Sequence, residues 1–252
     1  MFPVIVLSPI VRSGSTLLQR LLCSAPNTLI YGDTVGQEIE FLANYATTRE
    51  LMLRTQQATI EPVRSKVLQG DVSEFITPLS PSLAGSLKGF QDAAKTWIEV
   101  CRKESLDHGR DVWGWKMAGA EASTLARIAQ WYPDAKFIWI ERNLKDCLTS
   151  AKAAGMVAGK EQASAMIQRA QACKQAFTNL QANKLSLSFE TILQNPASTI
   201  QQLEQFTGAM GIDPSVFDER INQFGSKSYL PPTPLTHEEE AVLTTSPQPL
   251  TV

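Results

Sequence analysis

Residues 4–8, VIVLS, form an unbroken apolar run rich in β-branched side chains. Such a run fits a parallel strand buried on both faces. A few residues later comes Arg12-Ser13-Gly14-Ser15-Thr16, and then STLLQRLLCSA, where Leu17, Leu18, Leu21 and Leu22 fall on one helical stripe that Pro26-Asn27 ends. A buried strand that turns at once into a helix calls for a sheet with helices packed on it. It also makes an anion site, because the turn aims backbone N–H groups and the positive end of the helix dipole at one point.

The remaining segments extend this pattern. TLIYGD (28–33), DVWGWKM (111–117), AKFIWIER (135–142) and KLSLSFE (184–190) read as strands, separated by helical stretches such as AEASTLARIAQWY. Strands alternating with helices predict βαβ units, hence a three-layer α/β/α fold with a mostly parallel central sheet, like that of the P-loop NTPases. Residues 34–111 are helical in pattern and broken by ITPLSPSLAGS at 76–86. From Leu230 the chain is Pro-rich, which predicts a surface-wrapping or partly disordered tail. With 252 residues, 43% of them apolar, one domain over 1–230 is expected, with a helical insertion at about 34–110 and a tail at 231–252.

Charge and cysteine usage narrow the partners. A formal net charge of −2, from 23 basic and 25 acidic residues, leaves no broad basic surface for nucleic acid or an anionic membrane, so any anion site is local. No stretch approaches the roughly 20 apolar residues of a membrane helix, and MFPVIVLSPIV lacks a basic start and a small-residue cleavage site. Cys23, Cys101, Cys147 and Cys173 are widely spaced with no histidine nearby to complete a metal site. Reduced thiols, a cytoplasmic setting and no metal are the expectation; oligomeric state is not readable.

Two segments carry the candidate chemistry. In the first, Gly14 lets backbone approach a phosphate, Ser13, Ser15 and Thr16 offer hydroxyls, and Arg12 brings a planar cation matched to phosphate or sulfate oxygens. The Walker pattern would put lysine where Ser15 stands, which disfavours an ATPase or GTPase. In the second, IWIERNLKDCLTSAKAAG (138–155), Arg142 sits at a strand's carboxyl edge, where open α/β sheets bind ligands. Asn143 can cap the next helix, Asp146 can reach back to it, and Ser150 lies one turn further on the same face. Taken singly, each segment also reads as a plain capped helix.

Together the segments resemble the sulfotransferases that use 3′-phosphoadenosine 5′-phosphosulfate (PAPS), in particular the bacterial and tyrosylprotein branch. In that family an R-S-G-[ST]-T loop binds the 5′-phosphosulfate, and an arginine at a strand end with a serine eight residues on binds the 3′-phosphate. Arg12 to Thr16 match the first element, and Arg142 with Ser150 match the second. The resemblance implies that Lys116, in VWGWKM, lies close to the transferring sulfuryl group, and that Arg12 and Lys116, with the N–H groups of residues 13–16, meet the negative charge that grows on the leaving 5′-phosphate. It makes Asp33 the first choice of general base, since an acidic residue just after the second strand has that role in the tyrosylprotein branch; Glu38 is the runner-up. FGSKSY (224–229) is the candidate closing segment, with Ser226 and Lys227 on the nucleotide.

Three departures stand out. SPIV replaces the family's first loop glycine, SFET replaces the usual YED so that Phe189 stands for tyrosine, and the two histidines, His108 and His237, offer no counterpart to the histidine base of the cytosolic vertebrate branch. Trp97, Trp113, Trp115 and Trp139 are candidates to stack on adenine, although three of them lie in strands and read as core. The resemblance implies sulfuryl transfer from PAPS to a hydroxyl of a small-molecule acceptor, a metabolite or natural product, releasing adenosine 3′,5′-bisphosphate. The alternatives are a P-loop small-molecule or nucleotide kinase, and a non-catalytic nucleotide-binding relative.

Overall fold

The computed structural model describes residues 2–222 and 229–245. Five strands, β1 (Val4–Ser8), β2 (Thr28–Tyr31), β3 (Val112–Ala118), β4 (Lys136–Glu141) and β5 (Asn183–Ser188), form one parallel sheet in the order β2-β3-β1-β4-β5. The helices are α1 (Ser15–Ser24), α2 (Asp33–Leu68), α3 (Leu83–Asp107), α4 (Ala122–Trp131), α5 (Leu144–Ala153), α6 (Lys160–Asn179), α7 (Phe189–Gln194), α8 (Pro196–Thr207) and α9 (His237–Thr245), with a 3-10 turn at Pro214–Asp218.

The apolar run that opens the chain is the central strand β1, and its side chains alternate between two cores. Ile5 and Leu7 pack with Ile39, Ile98, Ile128 and Phe177 beneath α2, α3, α4 and α6. Val4 and Val6 pack with Leu18, Leu21, Leu22, Ile192 and Leu203 beneath α1, α7 and α8. Fully burying each such side chain contributes about 1.5–3 kcal/mol, so both faces are closed by packing and the result is the three-layer α/β/α arrangement that the alternation predicts. Trp113, Trp115 and Trp139 belong to the first core, Trp139 stacked on Phe177 with ring centroids 4.9 Å apart, so these three are not available to a nucleotide.

Three elements differ from expectation. The helical stretch after β2 is two long helices, and the connection between them spans 69–82 instead of 76–86. Strand β5 ends at Ser188, whose Oγ accepts from the Thr191 N–H at 3.0 Å and starts α7, so Phe189 and Glu190 are helical. The Pro-rich tail carries α9, whose Val242 is buried among Leu148, Ala151, Val157 and Ile167.

One contact places the site. A Cβ on Gly36 would lie 2.1 Å from the Lys116 carbonyl oxygen, so the first turns of α2 rest directly on β3 and only glycine fits between them. That approach brings the head of α2 to the carboxyl end of the sheet, beside Lys116.

Candidate functional site

The chain leaves β1 at Ser8 and enters α1 at Ser15, and internal hydrogen bonds shape the turn. The hydroxyls of Ser8 and Ser13 both donate to the Ile10 carbonyl, at 3.1 and 2.8 Å. Arg12 has φ 69°, a left-handed conformation costing a non-glycine residue about 1–2 kcal/mol. It takes up the reversal where no leading glycine is present. Gly14, at φ 95°, is required twice over: a Cβ there would also sit 2.3 Å from the Phe189 ring. Ser13 departs from the sequence reading, since its hydroxyl is fully buried and already donating, which leaves only its backbone N–H for a ligand.

At the head of α1 no side chain caps the helix and the first turn carries no acidic residue, so its leading N–H groups have no side-chain cap among the described residues. The nearby cations add to that positive end. Arg12 Nε donates to Ser150 Oγ at 3.0 Å and its NH1 to the Asn222 carbonyl at 2.8 Å. Arg142 donates to the Arg12 carbonyl at 3.4 Å, lies 4.6 Å over the Phe189 ring, and keeps a buried Nε with no partner among the described residues. Neither guanidinium meets a carboxylate among the described residues. Burial, and next the positive charge of Arg142, lower the pKa of Arg12. Two partly buried cations held together, neither paired with a carboxylate among the described residues, make a site that favours an anion.

These groups line a cleft of about 570 Å³ between the loop, α5, α7 and the segment after α8. Most of its far wall was not foreseen. Phe217, Arg220 and Asn222 come from the 3-10 turn and the stretch after it, where no motif or spacing marked them; Tyr229, also in this wall, is the last residue of the FGSKSY stretch that the sequence singled out. Arg20 also faces the cleft but is paired with Glu219 at 3.5 Å.

The α5 cap is a second correction. Asn143 Oδ1 accepts from the N–H groups of Lys145 and Asp146 at 2.9 and 3.4 Å, as expected of a cap. The Asn143 N–H, however, donates to Glu190 of α7 at 3.2 Å, so Asp146 does not complete the box. Glu190 replaces it because β5 ends early and turns α7 toward the Arg142 loop.

On the opposite side of α1's head, Lys116 Nζ lies 3.0 Å from Thr16 Oγ1 and 2.9 Å from Asp33 Oδ2. Lys116 is buried and Asp33 half exposed, so the lysine is a fixed post and the carboxylate its accessible edge. Asp33 is the first residue of α2, where the helix dipole favours a negative charge. Glu38 stands five residues further, about 140° round the helix, and faces α3, where burial, then Glu104 and then Glu38, push the Cys101 thiol up to about 11. The structure thus brings Arg12, Arg142 and Ser150 together, and Thr16, Lys116 and Asp33 together, but it does not bring Glu38 to Lys116. Ser226 and Lys227 lie outside the described residues. His108 ends α3 against the Glu104 carbonyl, and His237 begins α9.

A sulfotransferase family model matches residues 3–213, spanning the loop, both cations and the Lys116–Asp33 pair. The chain belongs to the sulfotransferase family. Solved structures similar to this sulfotransferase include the sulfotransferase domain from the curacin biosynthetic pathway, at 13% identity over 97% of both chains with a TM-score of 0.49. The sulfotransferase domain from the Synechococcus PCC 7002 olefin synthase matches at 14% identity over 96% of this chain and 94% of that one, with a TM-score of 0.49. A sulfotransferase from Alicyclobacillus acidocaldarius matches at 13% over 97% and 90%, with a TM-score of 0.45. No curated protein matches the chain.

Proposed function

We propose that this sulfotransferase moves a sulfuryl group from PAPS to a hydroxyl of a small-molecule acceptor, a metabolite or natural product, and releases adenosine 3′,5′-bisphosphate. The observation that carries this reading is a cationic cleft continuous with the head of α1 and flanked by the Lys116–Asp33 pair. One side offers two cations and a hydroxyl for a phosphate; the other offers N–H groups, a cation and a carboxylate.

The residues fit a molecule carrying two anionic groups. Arg142, whose buried Nε has no partner among the described residues, and Ser150 would hold the 3′-phosphate. Arg12, whose guanidinium donates to Ser150 and to the Asn222 carbonyl, would stand between them and the loop, where it can also meet charge on the leaving 5′-phosphate. The N–H groups of residues 13–16, with Ser15 and Thr16, would receive the 5′-phosphosulfate. Lys116 would hold the charge that grows on the 5′-phosphate as its bond to sulfur breaks.

Asp33 is the proposed base. Its Oδ2 holds Lys116, and its exposed edge can take the acceptor proton as the new S–O bond forms. In-line transfer of this kind asks the protein mainly to position reactants and meet developing charge. A catalytic metal has no assigned task in it, since the cations are side chains. Residues 1–230 are proposed to act as one domain with the helices of 34–110 on the acceptor side, and four free cysteines favour a cytoplasmic setting.

The test is turnover with radiolabelled PAPS in EDTA against a panel of alcohols, phenols and sugars, run beside ATP with magnesium. Labelled product from PAPS alone supports the reading. Transfer only from ATP makes the chain a kinase, and bisphosphate binding without transfer to any acceptor makes it a non-catalytic relative.

A further inference from the structure

The family model ends at residue 213, yet the far wall of the cleft includes Phe217, Arg220, Asn222, Tyr229 and Pro232. Described residues beyond the matched stretch are tied to the cleft through a series of contacts. Asn222 accepts from Arg12 NH1 through its carbonyl, while its side chain accepts from the Leu230 N–H at 2.6 Å and donates to the Leu230 carbonyl at 2.8 Å. Tyr229 and Pro232 line the cleft, and the Thr233 N–H donates to the Thr149 carbonyl on α5 at 3.1 Å, one residue from Ser150.

Helix α9 then fastens this segment. Glu239, only 2% exposed, pairs with Lys152 of α5 at 2.6 Å and also accepts from the Thr236 N–H at 2.7 Å. Glu240 pairs with Lys145 of α5 at 2.7 Å, and Val242 fills the apolar space between α5 and α6. A buried carboxylate with a cation and a backbone donor is costly to undo, since Glu239 left alone would be an unpaired buried charge.

We infer that Asn222 is a positioning residue for Arg12 and that α9, latched by Glu239 and Lys152, holds Asn222 in place through Leu230 and Thr233. The inference rests on the nucleotide reading of the cleft. Its physical content is a coupling: whatever keeps α9 docked keeps the Arg12 guanidinium aimed at Ser150, so an anion bound by Arg12 favours the docked segment and the docked segment favours the anion. A purely structural α9 would steady α5 and α6 without changing affinity for the ligand.

The experiment uses full-length protein and adenosine 3′,5′-bisphosphate as probe, with calorimetry for affinity and hydrogen exchange for residues 229–245. Asn222→Ala, which keeps the carbonyl but releases Leu230, and Glu239→Gln, which breaks the ion pair, should each weaken bisphosphate binding about tenfold, within the usual range of coupling between sites. In the wild type, bisphosphate should slow exchange in α9. Lys152→Gln serves as a second latch variant if Glu239→Gln fails to fold. Faster exchange in 229–245 with affinity changed less than twofold overturns the inference and leaves the nucleotide reading intact. Failure of the wild type to bind bisphosphate overturns both.

Discussion

At the residue scale the roles proposed for the two halves of the site can be tested separately. Asp33→Asn removes the proposed proton acceptor but no cleft contact, so turnover should fall about 10²–10⁴-fold with bisphosphate affinity nearly unchanged; kinetics and calorimetry on the same preparation check this. Arg142→Ala should do the reverse, weakening bisphosphate binding by about 2–4 kcal/mol, read by titration. Arg12 and Arg142 were legible in the sequence because each follows a recognisable strand, whereas Lys116, inside β3, and Ser150, within α5, were singled out through the family resemblance. Their partners were not. The Arg12–Ser150 bond joins residues 138 apart, and the use of Ser13 as an internal donor follows from the left-handed turn at Arg12, which no local pattern announced.

At the element scale the packing of α2 on β3 is the sensitive joint. Gly36→Ala would force a methyl into the Lys116 carbonyl, so α2 must lift away. The expected result is a loss of about 1–3 kcal/mol in denaturant titration, with turnover reduced more than bisphosphate affinity, because Asp33 moves and the cleft does not. Helix α9 carries a pH prediction. The hydrogen bond from Lys152, and next the Thr236 N–H, hold the Glu239 carboxyl below its usual value. A depressed folded-state value means the latch contributes stability above the ordinary carboxylate range and loses it as pH falls through the lowered value. Exchange in α9 should therefore quicken on acidification toward about pH 4 and below, before the β1 core opens. The sequence showed the central strands because their alternation is strong. It misplaced the end of β5 because Ser188 reads equally as a strand residue and as a cap, and it missed α9 because three successive glutamates at its start resemble a solvated tail.

At the scale of the whole molecule, the near-neutral surface and the cationic cleft divide the electrostatics. With a net charge of −2, long-range attraction for anions is small, so donor affinity must come from contacts inside the cleft. Those contacts join β1, β4, α5 and the C-terminal segment, and a ligand there acts as a clasp on the fold. At a hundred times its dissociation constant, bisphosphate should stabilise the protein by about 2.7 kcal/mol, seen as a rise in melting temperature in calorimetry. Five tryptophans will follow that melting but report the ligand poorly, since Trp113, Trp115, Trp131 and Trp139 are buried in the core away from the cleft.

Lys116 stands opposite Val6 in register and lies between Trp115 and Met117, whose side chains belong to the other core. A slip of one residue in the pairing of β3 would send the amine into that apolar layer and lift a tryptophan toward Thr16. Catalytic competence is therefore a proofreading signal for strand alignment: a refolded population with β3 misaligned would keep its helices and much of its compactness, yet contain no working centre, and the active fraction would count the correctly threaded molecules.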